Sequence, residues 1–309
     1  MNIPTGHILL PALEQSISSE KCVAIIGAAV STPCIPLWDK LIDDMIEYCE
    51  IEKEQVAQTP GPENQNETRL LESAETAKNT KFDKYCEYLD KIFGKPVLEK
   101  DTHQYHLLYR IKFKYYINLN FDNMMINAFD KHATANFSTY PNLNAENAGA
   151  HPNHIFHVHG LLDSENPARS SQIVLTKSEF NNAYNLKQSE LGYFLKNVLR
   201  YNDVCFIGCN PSSKPIREIM KLCQNEVANT FSRASGNKPN WFYLWDDITT
   251  LPTDSETGLI PVHYPRVDDK FLGFQQVLEY LAKYKPPSRK DHPDPPSANR
   301  FVSKGGPEL

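Results

Sequence analysis

Small residues follow the first apolar run of the sequence, and this junction is the first place where chemistry could occur. Residues 22–26 read CVAII, and Gly27 opens the turn GAAVS over residues 27–31. Small side chains after a strand let the backbone approach a phosphate, and the start of the next helix offers free N–H groups. The full G-x-G-x-x-G pattern is absent, so a tight turn packed beneath the core explains the same residues.

A second junction carries polar side chains at alternate positions. Asn118, Asn120 and Asp122 lie at the end of the apolar run 115–119 and just beyond it. Alternate residues of an extended chain project to the same side, so this spacing predicts that the three side chains face one site. Capping of a helix that begins near residue 123 is the alternative role for Asn120 or Asp122. Both roles are compatible, because a capping side chain can also contact a ligand.

A third junction contains four histidines between His151 and His159. No Asp, Glu or Cys lies near them at a recognisable ligand spacing, so no metal site is predicted. His159 differs from the others because it follows a predicted strand and directly precedes Gly160, where parallel sheets place catalytic residues. A fourth junction, with Gly208 and Asn210, follows the apolar run 204–207 in the same way.

The elements that would position these junctions alternate along the chain. Short apolar runs and amphipathic stretches predict an α/β fold: a Rossmann-like, doubly wound and mostly parallel sheet with a helical insertion. Strands are predicted at residues 22–26, 115–119, 155–158, 173–175, 204–207, 241–245 and 259–264. Helices are predicted at residues 37–50, 82–93, 102–111, 123–130, 189–200, 215–224 and 268–284. A further helix is predicted after Thr176, because Thr176 and Glu179 form a capping-box pattern.

We expect one domain over residues 1–284, with a polar insertion at about residues 52–112. Within it, residues 52–80 are predicted to be exposed and at most partly helical. Residues 136–149 lack periodicity and are predicted to form a loop. Residues 285–309 are rich in proline and are predicted to form a flexible tail.

The composition excludes several classes of protein. The chain has 309 residues, 40% of them hydrophobic, as in ordinary folded proteins. A formal net charge of -6 removes the simple electrostatic case for nucleic-acid binding. No run approaches the ~18 apolar residues that span a bilayer, so no membrane association is expected. Seven cysteines without a C-x-x-C pair, and no signal-like N-terminus, predict reduced thiols and a cytoplasmic location.

The order of the four junctions resembles the sirtuin-like NAD hydrolases of bacterial anti-phage defence systems. Those proteins carry a "GAG-x-S" turn, a "G-x-P-x-W" continuation, an "N-x-D" strand end, an "H-G" pair and a late "G-x-S" turn. The counterparts here are residues 27–31, residues 34–38, Asn120 with Asp122, His159 with Gly160, and Gly208 with Asn210. Ala29 and Cys34 stand where the family has glycine, and Asn210 stands where it has serine.

The resemblance implies cleavage of the nicotinamide–ribose bond of NAD, which yields nicotinamide and ADP-ribose. It implies catalytic roles for Asn120, His159 and Asp122. Asn120 would hold the ribose and the attacking water, His159 would accept a proton, and Asp122 would contact the nicotinamide side or stabilise positive charge. NAD, as the substrate, would be bound by Gly27, Ala28, Ala29, Ser31, Trp38, Gly208 and Asn210. No metal is expected, and no C-x-x-C zinc module like that of the protein-deacylating sirtuins is present.

Two alternatives stay open at this point. The replaced residues Ala29, Cys34 and Asn210 are compatible with a module that binds NAD or ADP-ribose without turnover and serves assembly or sensing. A different nucleotide hydrolase that uses histidine and a metal is the other alternative. The resemblance also implies an anti-phage effector that depletes NAD, that forms a homo-oligomer, and that is restrained by a partner such as a HerA-type ATPase or a short Argonaute.

Overall fold

The computed structural model describes residues 10–32, 34–52, 63–143, 153–185, 188–209, 216–217, 219–221, 223–224, 238–245, 258–264 and 272–284. Within these residues the chain forms seven strands. They are β1 (Cys22–Ile26), β2 (Tyr116–Asn118), β3 (Phe137–Thr139), β4 (Ile155–His157), β5 (Asp203–Ile207), β6 (Trp241–Trp245) and β7 (Leu259–His263).

All seven strands belong to one sheet, in the order β3-β4-β2-β1-β5-β6-β7, and every pairing is parallel. The first strand therefore lies at the centre, where Ala24 pairs with Tyr116 on one side and with Cys205 on the other. The chain winds outward from β1 in both directions, which confirms the predicted α/β, Rossmann-like fold. In such sheets, ligands bind where the winding direction reverses, at the carboxyl ends of the central strands.

Nine helices are bounded within the described residues. They are α1 (Leu10–Ser18), α2 (Trp38–Tyr48), α3 (Glu63–Thr80), α4 (Phe82–Phe93), α5 (His103–Ile111), α6 (Met124–Asp130), α7 (Lys177–Ala183), α8 (Glu190–Tyr201) and α9 (Leu272–Lys283). Two short 3₁₀ helices cover Ala28–Val30 and Glu99–Thr102. Within the described part of the chain, no helix combines the length and the apolar character that crossing a membrane requires.

The sheet is buried on both faces because the side chains of β1 alternate between two apolar clusters. Cys22, Ala24 and Ile26 pack in the cluster that also includes buried residues of α1, α5, α6 and α9, whereas Val23 and Ile25 pack in the cluster that includes those of α8. A continuous apolar strand such as CVAII is typical of this position. A third apolar cluster joins α2, α3 and α4, and its members include residues that lie close to the carboxyl edge of the sheet.

The sequence predicts that residues 52–80 are exposed and at most partly helical, and the predicted exposure is wrong for one face of the part that is described. Residues 63–80 form the 18-residue helix α3, and Leu70, Ala74 and Ala77 are buried. These three residues lie at helical spacing, so one face of α3 is apolar. Two of the three are alanines, and the polar residues around them mask this face in the sequence. Residues 53–62 lie outside the described residues.

Two further predictions are corrected. Residues 173–175 are buried but do not form a strand. Val174 N–H donates to the carbonyl oxygen of His159 at 2.9 Å, but this single bond does not extend into a strand pairing among the described residues. The predicted loop at residues 136–149 contains the short edge strand β3, which pairs with β4. A three-residue strand gives too little periodicity to be detected. The predicted helix at 215–224 is described only in part, as helical residues, and the predicted tail at 285–309 lies outside the described residues.

Candidate functional site

A cavity of about 480 Å³ lies at the carboxyl ends of β1, β2 and β5, beside the end of β4. This volume is in the range of small-molecule and cofactor sites. The four junctions of the sequence meet there, because parallel strands end at the same edge of a sheet. Nine residues that the sequence singled out line the cavity: Gly27, Ala28, Ala29, Ser31, Trp38, Asn120, Asp122, His159 and Gly208. The tenth, Asn210, lies outside the described residues.

The turns after β1 and β5 pack directly against each other. Ala29 N–H donates to the carbonyl oxygen of Gly208 at 3.0 Å, and a Cβ atom built on Gly27 would lie 2.2 Å from Cβ of Cys209. Gly208 has a φ of +65°, and a Cβ there would lie 2.8 Å from the Val30 side chain. Both glycines are therefore required for the contact between the turns, so tight packing accounts for them even without a ligand.

A buried hydrogen-bond network fixes the side-chain amide of Asn120. Its Nδ2 atom lies 3.1 Å from each of three acceptors, the carbonyl oxygen of Gly27, Ser31 Oγ and Tyr105 Oη, which share its two hydrogens. The backbone N–H of Asn120 donates to Asn118 Oδ1 at 3.1 Å. Within the described residues the amide oxygen of Asn120 accepts no hydrogen bond, so it is the atom of this side chain that is left for a ligand.

Asp122 accepts hydrogen bonds at both carboxylate oxygens. Ser31 Oγ donates to Oδ2 at 2.8 Å, and the backbone N–H of Met124 donates to Oδ1 at 3.1 Å. Because Ser31 donates to Asp122, the 2.7 Å bond between Ser31 and Tyr105 must be donated by the tyrosine. Burial raises the pKa of Asp122, whereas these hydrogen bonds lower it. Asp122 thus caps the start of α6 and also lines the cavity. It is the final acceptor in the series in which Tyr105 donates to Ser31 and Ser31 donates to Asp122.

His159 is held by both ring nitrogens. Its Nδ1 atom lies 3.0 Å from the carbonyl oxygen of Leu119, and its Nε2 atom lies 2.7 Å from Tyr184 Oη. A carbonyl can only accept, so the neutral ring carries its proton on Nδ1, and Tyr184 donates to Nε2. Burial lowers the pKa of His159 to about 4, so the ring is neutral at pH 7. Among the described histidines of this segment, His154 and His157 do not line the cavity, and His151 lies outside the described residues.

Aromatic and aliphatic side chains form the outer wall of the cavity. The rings of Phe121 and Phe180 lie 6.2 and 5.9 Å from that of His159, measured between centroids. Trp38 from α2 and Glu67 from α3 complete this side. Glu67 and Asp122 are acidic, and no Lys or Arg is found among the described residues of the lining. The site therefore favours ligands that present a cationic or neutral group to this wall.

Tyr105, Tyr184 and Glu67 are among the lining or supporting residues that the sequence did not indicate. Each belongs to or follows a helix far from the junctions in sequence, and no local pattern marks it. The capping box at the start of α7, with Thr176 and Glu179, is confirmed, and it indicates where α7 begins. It gave no indication that the residue after that helix contacts His159.

A model of the SIR2-like domain family matches residues 114–257. The matched segment includes Asn120, Asp122, His159 and Gly208, and it begins after the turn at Gly27. The match supports a sirtuin-like assignment, and a SIR2-like domain implies involvement of NAD. No curated protein matches the chain. No group of three or more His, Cys, Asp or Glu side chains that could hold a metal ion occurs in the part of the chain that the structure describes.

Proposed function

We propose that this cavity binds NAD and hydrolyses its nicotinamide–ribose bond. The observation that carries the proposal is the meeting of Asn120, Asp122 and His159 in one cavity at the switch point of a parallel sheet. The SIR2-like match covers these three residues and supports NAD as the ligand.

In the proposed reaction, the bond between ribose C1′ and the pyridine nitrogen breaks, and the electron pair leaves with neutral nicotinamide. A water oxygen then bonds to C1′, the product is ADP-ribose, and one proton is released. The leaving group is already cationic, so the reaction passes through an oxocarbenium-like state without a general acid. The protein supplies position and charge rather than covalent chemistry.

Asn120 and His159 have complementary roles in this proposal. The amide nitrogen of Asn120 is held by three acceptors, so its oxygen is pre-oriented to accept from the ribose or from the attacking water. His159 is neutral at pH 7 because burial lowers its pKa to about 4. It therefore acts as a hydrogen-bond acceptor that takes a proton from a ribose hydroxyl or from the water late in the reaction.

Asp122 and the turn after β1 complete the site. Asp122 and Glu67 place negative charge beside the cationic nicotinamide and the developing oxocarbenium ion. Gly27, Ala28, Ala29, Ser31, Trp38 and Gly208, together with Asn210, are proposed to hold the rest of the dinucleotide.

The test is incubation of the purified chain with NAD, followed by chromatographic separation of nicotinamide and ADP-ribose. We expect both products from the wild-type chain and a loss of about 10²–10⁴-fold in the His159→Ala variant. The matched control is His103→Ala, which removes an exposed imidazole of α5 that does not line the cavity. Equal rates in the His159→Ala and wild-type proteins would contradict the assignment of His159.

Binding without turnover is the second candidate, and one observation favours it. Ala29 lines the cavity, where a methyl group restricts the approach of a ligand to the backbone. This candidate predicts that the wild-type chain binds ADP-ribose in calorimetry and releases no nicotinamide.

At the cellular level we propose a cytoplasmic anti-phage effector that depletes NAD when it is triggered. An unrestrained enzyme of this kind would consume the cofactor pool of its own host, so control by self-assembly or by a separate protein is required. The family resemblance supports homo-oligomers and partners such as a HerA-type ATPase or a short Argonaute. Measuring cellular NAD after phage infection, with wild-type and His159→Ala chains, tests the depletion.

A further inference from the structure

The hydrogen bond between His159 and Tyr184 engages the nitrogen that the proposed reaction needs. At 2.7 Å from Tyr184 Oη, the lone pair of His159 Nε2 accepts the hydrogen bond of that hydroxyl. The other nitrogen donates to the carbonyl oxygen of Leu119 and cannot take this role. A substrate hydroxyl or water that reaches Nε2 must therefore take the place of the Tyr184 hydroxyl.

The ring of Tyr184 is held in place by the helix that precedes it. Its backbone N–H donates to Phe180 O at 3.0 Å, and the two rings lie 4.5 Å apart between centroids, tilted by 31°. Helix α7 is in turn fixed by its capping box, and Glu179 of that box pairs with Lys78 of α3. The hydroxyl is thus presented to His159 by a supported side chain and not by a free loop.

We infer that Tyr184 is a positioning residue for His159. The hydroxyl of Tyr184 keeps the imidazole in the neutral form in which Nε2 is the acceptor, and it occupies the place that a substrate hydroxyl takes during the reaction. The inference rests on the proposed function for the identity of that substrate hydroxyl. The bond itself, and its effect on the imidazole, are independent of whether NAD is cleaved.

The charges around this pair are compatible with the assigned proton positions. Tyr184 is faced by Glu67 from α3 and by Cys209 from the turn after β5, and Asp122 lines the same cavity. Burial, and then these neighbours, raise the pKa of Tyr184 well above its usual value, so its hydroxyl stays a donor at neutral pH. A donor on Nε2 stabilises the neutral imidazole in addition to burial.

The first measurement is NMR of the histidine side chains in the full chain, with the His159 signals identified by their loss in His159→Ala. In Tyr184→Phe we expect the pKa of His159 to rise and its two neutral tautomers to mix. The matched control is Tyr115→Phe, which removes another buried hydroxyl, one that accepts from Asn202 and does not line the cavity. Identical His159 titrations in wild type and Tyr184→Phe would overturn the inference.

The second measurement is the pH profile of nicotinamide release. In Tyr184→Phe we expect kcat to fall about tenfold, because the imidazole is less well oriented, while KM for NAD does not rise. The acidic limb of kcat/KM should move to higher pH, and Tyr115→Phe should match the wild type. A rise in KM with unchanged kcat would show that Tyr184 only binds substrate, which contradicts the inference. If Tyr184→Phe changes the His159 titration but the wild-type chain releases no nicotinamide, the proposed hydrolysis is refuted and the positioning role of Tyr184 stands.

Discussion

The side-chain amide of Asn120 donates to the main-chain carbonyl of Gly27 at 3.1 Å, across the boundary between two neighbouring strands. This bond joins the turn after β1 to the turn after β2. The orientation of the amide is therefore set by backbone atoms, which cannot rotate away as a side chain can. The two junctions that the sequence presents separately form one unit at the base of the cavity.

Replacing Asn120 by alanine should lower both activity and stability. We expect nicotinamide release to fall by about 10²-fold or more, because a pre-oriented polar group is lost. The free energy of unfolding should fall by about 1–3 kcal/mol, because the carbonyl of Gly27 loses a buried partner. Turnover and urea unfolding measured on the same preparation separate the two effects. The control is Asn127→Ala, which removes an amide that donates to Asn123 Oδ1 outside this cavity. Similar losses of turnover in both variants would argue against a site at Asn120.

Replacing Asp122 by alanine should cost stability through two bonds and should also lower turnover. The start of α6 loses the acceptor for Met124 N–H, worth about 1 kcal/mol, and the Ser31 hydroxyl loses its acceptor. The control is Asp130→Ala, which removes an exposed carboxylate that accepts from Ala135 at the other end of α6. If Asp122→Ala has the same turnover per folded molecule as the wild type, this carboxylate serves only to cap α6.

Replacing Ala29 by glycine should tighten ligand binding or raise turnover. The methyl group of Ala29 lies at the cavity wall beside Gly208, where it limits how closely a ligand can approach the backbone. Calorimetric titration with ADP-ribose and the rate of nicotinamide release provide the two measurements. Weaker or equal affinity together with an unchanged rate would show that no ligand atom lies against this turn.

Acidification should destabilise the protein through His157. Burial lowers the pKa of His157 from 6.5 to about 4, and its Nε2 has no hydrogen-bond partner within the described residues. Between those two pH values the unfolded chain binds the proton that the folded chain rejects, so stability is lost as the pH falls, by up to about 3 kcal/mol. Urea unfolding at pH 7, 6 and 5 should show a shallower loss in His157→Gln. The exposed control His103→Gln should follow the wild type; a parallel slope in all three would exclude His157 as the cause.

The sheet could be predicted from the sequence because buried parallel strands are continuous apolar runs. The bounds predicted for β1 and β6 match the observed Cys22–Ile26 and Trp241–Trp245. Residues 173–175 show the limit of this signal, since a buried apolar run can also pack without a strand partner. Helix α3 shows another limit, because alanines at helical spacing form a buried face that composition alone does not reveal.

The convergence of the four junctions could be predicted because parallel strands end at one edge. The partners of their side chains could not. Tyr105 reaches Asn120 from α5, and Tyr184 reaches His159 from the end of α7. Both contacts depend on how helices cross the sheet edge, and such packing is a tertiary property with no local sequence pattern. For the same reason, the tight contact between Gly27 and Cys209 was not expected from the small residues of the first turn.

The central place of β1 has a consequence for protein synthesis. Residues 22–26 are translated long before their partners, because Gly27 N–H donates to the carbonyl oxygen of Ile207 and Ala29 N–H donates to that of Gly208. The floor of the cavity therefore cannot close on a nascent chain until residues 207 and 208 have been translated. Contacts of such long sequence separation also form slowly. Truncated chains released from stalled ribosomes before residue 207 would lack this floor, so the cavity of an incomplete product would stay unformed.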